Sequence, residues 1–260
     1  IGYIFQGKQM IQLKDEYQIS KIRSSCHLLS DMFDEVGPQV VEGISTYDID
    51  RLCESFMKKH HAKGPCKGYF GYPNVTCTSV NSTVIHGIPS KKEILQEGDI
   101  ISIDVCIDLD GYISDSTHTY EIGKVSEKVH QLNVETRKSL YLGIEAASKP
   151  NARIQDIAQA VSSHCRKFKY GVVKDYCGHG VGFEIHEDPE VPNYVSLANP
   201  NPRIKKGMVF AIEPMINMGT WKVEVLRDNW TVKTLDRLPS CHWEHTVAMT
   251  ENGLEILTEY

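Results

Sequence analysis

The stretch "GDIISIDVCIDLDGYISDSTH", Gly98 to His118, reads as two β-strands joined by the two-residue turn Asp110-Gly111, yet acids interrupt its apolar run. Asp104 follows Ile100, Ile101 and Ile103, where a buried strand would continue with Val or Ile, and Asp115 lies just beyond the turn. Counting outward from that turn pairs Leu109 with Tyr112 and Cys106 with Asp115. Asp104 is then a diagonal neighbour of Asp115 on the same face, and such pairs lie ~7–8 Å apart at the backbone, within side-chain reach of a common ion. Two carboxylates this close in an apolar sheet repel, and one is forced neutral unless a divalent cation lies between them. By itself the hairpin does not carry a metal site.

A second copy follows. "GDIISIDV" (98–105) is echoed by "GMVFAIEP" (207–214), each with a Gly opening an apolar strand that reaches Ile and then an acid, Asp104 or Glu213. "IHGIP" (85–89) is echoed in the same order by "IHEDP" (185–189). The helices repeat as well. Ile19, Ile22, Cys26, Leu29 and Phe33 predict a helix over about 15–36; Ser45 or Thr46 caps a second carrying Ile49, Leu52, Cys53, Phe56 and Met57. After Gly123 the order restarts, with a helix over about 127–148 and another carrying Ile154, Ile157, Ala158, Val161 and Cys165. The expected fold class is α+β, built of two pseudo-symmetric ααβ halves, about 11–123 and 124–260, around one central antiparallel sheet core. A period of about 100 residues is too long for a solenoid.

A lone acid at a strand end is more often a solvated edge residue. Acids at matched positions after matched apolar strands are a different matter, and a pseudo-twofold axis brings them together. The second half supplies Glu213 at the position of Asp104, and Glu244 in "WEHTVAM" is read as the counterpart of Asp115. Four carboxylates carry a charge that two divalent ions balance. Oxygen ligands with an imidazole suit Mn, Fe, Co, Zn or Mg, and two such ions about 3.5–4 Å apart form the usual hydrolytic arrangement. In "GHGVGFEIHEDP", glycines flank His179 as if to admit a ligand or metal, and His186 follows seven residues on. That odd spacing puts the two on opposite faces of a regular strand, so convergence requires the glycines to bend the chain. His86 and His186, the two copies in the repeat, are expected on either side of a substrate.

Composition limits the function classes. The 260 residues are 41% hydrophobic and 24% charged with a net charge of -6, the profile of a soluble globular protein with no global pull toward nucleic acid or acidic membranes. No apolar run approaches the ~20 residues of a membrane span. Residues 1–10, "IGYIFQGKQM", show no signal-peptide pattern and read as an N-terminal extension before a single domain over 11–260. Eight cysteines without a C-x-x-C pair argue against a zinc ribbon or disulfide framework and point to reduced thiols in the cytoplasm.

Taken together, "VIHGIP", "ISIDV", "SDSTHTY", "GHGVG", "IHEDP", "FAIEPM" and "WEHTVA" resemble the motifs of the methionine aminopeptidases, M24 metallopeptidases of the pita-bread fold, over about Ile11 to Thr258. The resemblance implies a dinuclear site ligated by Asp104, Asp115, His179, Glu213 and Glu244, with a bridging water or hydroxide as nucleophile and Glu213 as proton shuttle. It implies that His86 contacts the substrate's amino end and scissile region and that His186 stabilises the tetrahedral intermediate. It also implies a methionine pocket lined by Cys66, Tyr69, Tyr72, Cys77 and Trp230, whose soft and aromatic walls suit a thioether. The two ions would be Co, Mn, Fe or Zn, and some relatives hold a monovalent cation near positions matching Asn81 and Ser240. The implied partners are N-terminal Met peptides and nascent chains, at the ribosome, with the enzyme a cytoplasmic monomer. Only 27 positions separate His186 from Glu213, too few for the helical insertion of the type II enzymes, and this favours type I. Cys26 is the only cysteine among the first fifty residues, so the family's N-terminal zinc-binding extension is not seen. One departure is visible: the family often has an aromatic residue before the second substrate-contacting histidine, and here Ile185 stands there. The alternatives are a proline-directed aminopeptidase or prolidase of the same fold, and a non-catalytic peptide- or RNA-binding member.

Overall fold

A computed structural model describes residues 10–259. Within them α1 (Glu16–Val36) and α2 (Thr46–Lys59) precede β1 (Thr76–Val80), β2 (Thr83–Ile85), β3 (Ile100–Leu109) and β4 (Tyr112–Glu121). Then α3 (Glu127–Ala147) and α4 (Ile154–Arg166) precede β5 (Gly171–Val172), β6 (Gly178–Gly180), β7 (Glu187–Val191), β8 (Val209–Ile212) and β9 (Met215–Asn217). The chain closes through β10 (Val223–Val225), β11 (Val232–Thr234), β12 (Ser240–His242), β13 (His245–Thr250) and β14 (Gly253–Ile256).

The helix starts follow from side-chain chemistry. Asp15 accepts from Gln18 N at 2.8 Å while the Gln18 side chain accepts from Asp15 N at 2.9 Å, a capping box that satisfies two orphan donors of α1. Ser45, not Thr46, caps α2, its Oγ accepting from Asp48 N at 3.0 Å. The Thr46 hydroxyl instead accepts from Ser90 N at 2.9 Å and ties α2 to the connection before β3.

The β3–β4 hairpin has the register that its turn dictates: Leu109 faces Tyr112, Cys106 faces Asp115 and Asp104 faces Thr117. Asp110 and Gly111 have φ of 55° and 85°, the two positive values a type I′ turn needs. The odd-numbered face, Ile101, Ile103, Val105 and Ile107, is buried under Leu29, Phe33, Ile49 and Phe56 of α1 and α2. Each such side chain contributes roughly 1.5–3 kcal/mol on burial. Period-two alternation then sends Ser102, Asp104 and Cys106 to the opposite face. The second half repeats this, with Phe210 and Ile212 of β8 packed beneath Leu132, Leu140, Ile157 and Val161 of α3 and α4. Both carboxylates thus project from the faces that the helices leave uncovered.

The strand order β1-β3-β4 of one half is matched by β6-β8-β13 of the other. Ile103 faces His118 in the first, and Ile212 faces His245 in the second. The two sheets meet where Thr117 bridges Glu244, whose N–H donates to the Thr117 carbonyl at 3.1 Å. One step beyond Ile103–His118 lies Asp104–Thr117, and the same step beyond Ile212–His245 brings Glu213 level with Glu244. Thr117 and Glu244 are therefore each other's copies, meeting on the pseudo-axis. This corrects the assignment of Glu244 as the counterpart of Asp115. The residue at the position of Asp115 is His242, two before Glu244 as Asp115 is two before Thr117.

One buried carboxylate serves the frame. Asp50 of α2 is fully buried and accepts from Asn74 Nδ2 at 2.9 Å and from Val75 N, Thr76 N and Thr76 Oγ1 at 3.0 Å each, with Arg51 alongside. It pins the entry to β1. Asp50→Ala leaves these donors stranded, and at about 1–3 kcal/mol per unsatisfied group the expected loss is at least ~3 kcal/mol. Urea denaturation checks this; a loss under ~1 kcal/mol would mean the donors find other partners.

Candidate metal centre

His179 sits on β6, where its Nδ1 pairs with the Gly180 carbonyl at 2.9 Å. That leaves Nε2 facing Glu213 Oε1 at 3.4 Å and Asp115 Oδ2 at 3.6 Å. The flanking glycines have a different purpose from the one expected. A Cβ at Gly178 would run into the Ala211 carbonyl and one at Gly180 into that of Asp188, so both admit neighbouring strands rather than a ligand. The bend comes at Gly182, whose φ of 139° turns the chain between β6 and β7. His179 and His186 thereby converge, their ring centroids 4.3 Å apart.

Asp115, Glu213 and Glu244 are only 4%, 7% and 2% exposed, so water does little to stabilise their charges. Burial pushes Glu213 up to about 7, opposed by His179, and Asp104 up to about 6, opposed by His242. Burial first, then charge repulsion within the cluster, drives Asp115 and Glu244 well above the usual carboxylate range. Thr117 Oγ1 donates to Glu244 Oε2 at 2.8 Å, while Glu244 Oε1 and Asp115 Oδ1 have no hydrogen-bond partner among the described residues.

These residues fit divalent metal. Asp115, His179 and Glu244 each offer an atom within 4.8 Å of the others. The His179 separations of 3.4 and 3.6 Å exceed a hydrogen bond and resemble the spacing of two ligands on one ion, about 3.3–3.6 Å for bonds of ~2.0–2.2 Å. Orphaned carboxylate oxygens in a dry pocket are what a cation would satisfy. Without one, protons must neutralise the cluster, and cation binding releases them.

Two walls flank the centre. On one, the Tyr69 hydroxyl pairs with His186 Nδ1 at 2.9 Å, and Cys66 and Tyr69 pack on the cluster that includes Cys106, Ile113 and Ile185. On the other, Cys77 faces Asp104 across β1 and β3, and the Tyr72 and Trp230 rings meet edge to face at 5.0 Å. His86, with a left-handed φ of 57°, lies between the rings of Tyr176 at 5.7 Å and Trp230 at 6.2 Å. Burial holds His86 down to about 4 and His186 well below its ordinary value, so both rings are neutral. Asn81 and Ser240 are also neighbours, Ser240 N donating to the Asn81 carbonyl at 2.8 Å.

Four further residues support the centre without standing out in the sequence. Asn193 Nδ2 donates to the Glu213 carbonyl at 2.9 Å. Cys106 faces Asp115 across β3 and β4 and lies in the cluster on which Cys66 packs. Tyr176 backs His86. His242 lies 3.5 Å from Glu213 Oε2 through its Nε2. The pairing of Cys106 with Asp115 in the hairpin is the one sequence signal that points to any of them.

The metallopeptidase family M24 model matches residues 20–251. A methionine aminopeptidase of Clostridium acetobutylicum is 44% identical over 249 residues, covering 96% of this chain and 99% of that protein. The structure of methionine aminopeptidase from Rickettsia prowazekii superposes with a TM-score of 0.92 at 36% identity, over 96% of this chain and 100% of that one. A prolidase from Pyrococcus furiosus superposes with a TM-score of 0.77 at 25% identity, over 96% of this chain and 66% of that one. The expected pita-bread fold is the fold observed, and the chain belongs to metallopeptidase family M24.

Proposed function

We infer that this chain is a methionine aminopeptidase that hydrolyses the peptide bond after an N-terminal methionine, using two divalent ions. The observation that carries the reading is the set of buried carboxylates around His179, in a chain 44% identical to a methionine aminopeptidase along nearly its whole length. Asp104, Asp115, His179, Glu213 and Glu244 are the proposed ligands. Divalent ions held there would lower the pKa of a bound water toward about 7 and polarise the scissile carbonyl. Co, Mn, Fe and Zn all suit this donor set.

The chain's own residues do the rest. Hydrolysis moves a proton from the attacking water to the leaving amine, and Glu213 is the residue assigned to carry it. A Tyr69 hydroxyl that donates to His186 Nδ1, 2.9 Å away, would put the neutral ring's proton on Nε2, the tautomer that donates to a developing oxyanion. His86, fixed by its backbone and two aromatic rings, contacts the substrate's amino end. Cys66, Tyr69, Tyr72, Cys77 and Trp230 form the methionine pocket, and Asn81 with Ser240 the monovalent-cation position. Residues 11–260 act as one catalytic domain. The same reading takes in a cytoplasmic monomer that meets nascent chains at the ribosome; no described helix is long and apolar enough to cross a membrane.

Ile185 is 6% exposed and packs in the cluster that Cys66 and Tyr69 adjoin. A branched aliphatic side chain there leaves a looser wall than a flat ring. Ile185→Phe is expected to raise the preference in kcat/KM for Met over Leu several-fold, in a range where one methylene is worth ~10–200-fold. Competition between Met-Ala-Ser and Leu-Ala-Ser measures it; an unchanged ratio removes Ile185 from the pocket.

The assignment is tested by giving metal-loaded protein Met-Ala-Ser, Leu-Ala-Ser and Ala-Pro peptides. Release of Met alone is expected. Comparable release of Leu, or cleavage of the Ala-Pro substrate only, would sink it, and no turnover with Co, Mn or Fe would favour a binding module.

A further inference from the structure

We propose that His242 is a positioning residue of this centre, its Nε2 holding the Oε2 oxygen of Glu213 so that Oε1 is presented to the ion on the His179 side. The inference deepens the aminopeptidase reading and rests on it.

The geometry starts with the strand. β12 pairs with β9, setting His242 opposite Met215, two residues beyond Glu213. The His242 N–H donates to Ser102 Oγ at 3.2 Å, and its carbonyl accepts from Thr119 Oγ1 at 2.5 Å. The residue is thereby fastened to β3 and β4 of the other half, and at 1% exposure its ring has nowhere to withdraw. Nε2 is buried without a hydrogen-bond partner among the described residues and lies 3.5 Å from Glu213 Oε2. The other oxygen, Oε1, lies 3.4 Å from His179 Nε2. Two imidazoles therefore bracket one carboxylate.

Symmetry gives the position its meaning. His242 occupies the place that Asp115 has in the first half, so the duplicated frame aims this ring at the centre. Its Nε2 faces the Glu213 oxygen that does not face His179, which argues for action through Glu213. A small rotation shortens 3.5 Å to hydrogen-bond length, as polar contacts in unloaded sites tighten on loading. Partners of this kind orient ligands, and their loss costs roughly 10–100-fold in metal affinity or activity.

The test compares wild type, His242→Gln, which keeps an N–H donor, and His242→Met, which fills similar space without one. Co(II) affinity is read by calorimetry and kcat and KM on Met-Ala-Ser. His242→Met is expected to weaken the tighter ion roughly 10–100-fold and to lower kcat more than it changes KM, with His242→Gln restoring most of both. Equal affinity and kcat in wild type and His242→Met, or a Gln variant no better than Met, would overturn the proposal. X-ray absorption of the Co-loaded wild type needs no variant: one imidazole per centre in the first coordination shell is expected, and a second one would make His242 a ligand and overturn the positioning role. If wild type itself bound no Co(II), the aminopeptidase reading would fail instead.

Discussion

Glu213→Gln is expected to abolish most peptidase activity while making the metal-free protein more stable. The side chain keeps its shape but loses its charge, so proton transfer and metal ligation both suffer: a proton carrier contributes roughly 10²–10⁴-fold to rate, and kcat on Met-Ala-Ser should drop by at least that much, with metal content falling too. The stability gain has a definite sign. Burial raises the Glu213 carboxyl from its ordinary 4.5 to about 7, so the folded state holds a proton that the unfolded state releases. Stability from that proton is fully present below about pH 4.5 and lost as pH rises through about 7. A neutral Gln escapes this loss. Its advantage should be full near pH 8, up to about 3 kcal/mol, and vanish near pH 4. Thermal unfolding in chelator measures it. A destabilised Gln variant at pH 8 would show that Glu213 is not held in a desolvated, repulsive cluster.

The second large effect is the growth of metal stabilisation with pH. Asp104 is raised to about 6 and Glu213 to about 7, with Asp115 and Glu244 also well above their ordinary range, so cations must displace protons to bind. Between pH 6 and 8 the metal-free protein loses stability as these groups ionise without a counter-charge, while ion affinity rises. Buried histidines act in the opposite direction at lower pH. Desolvation holds His86, His242 and His245 to about 4 and His118 to about 3, so the unfolded chain takes up protons first as pH falls below 6.5. Above pH 6.5 the carboxylates dominate. At a thousandfold excess over Kd, metal adds about 4 kcal/mol, roughly 8–16 °C in a domain of this size. The gap between loaded and chelated melting temperatures should widen from pH 6 to pH 8; a constant or shrinking gap would mean that no protonated carboxylates are being displaced.

What is legible in the sequence depends on how local the constraint is. The Asp110-Gly111 turn fixes every pair in its hairpin, so Cys106–Asp115 and the diagonal Asp104 follow by counting. Helix bounds follow from spacing and caps, as at Asp15 and Ser45. The second half is harder because matching like with like misleads. Charge pairs Glu244 with Asp115, whereas strand register pairs it with Thr117 and makes His242 the counterpart of the acid. A duplicated position that has changed its residue type is invisible until the sheets are superposed. The glycines around His179 mislead for a related reason. The carbonyls that demand them belong to Ala211 and Asp188, on neighbouring strands later in the chain, and no local pattern announces their approach.

The most direct test is anomalous diffraction from crystals soaked in Co(II) or Mn(II), collected at and away from the metal edge. Two peaks enclosed by Asp104, Asp115, His179, Glu213 and Glu244 are expected, with occupancy lost in Glu213→Gln. Peaks elsewhere, or none at this cluster in protein that still releases methionine, would contradict a metal centre built from the two copies of the buried acid strand.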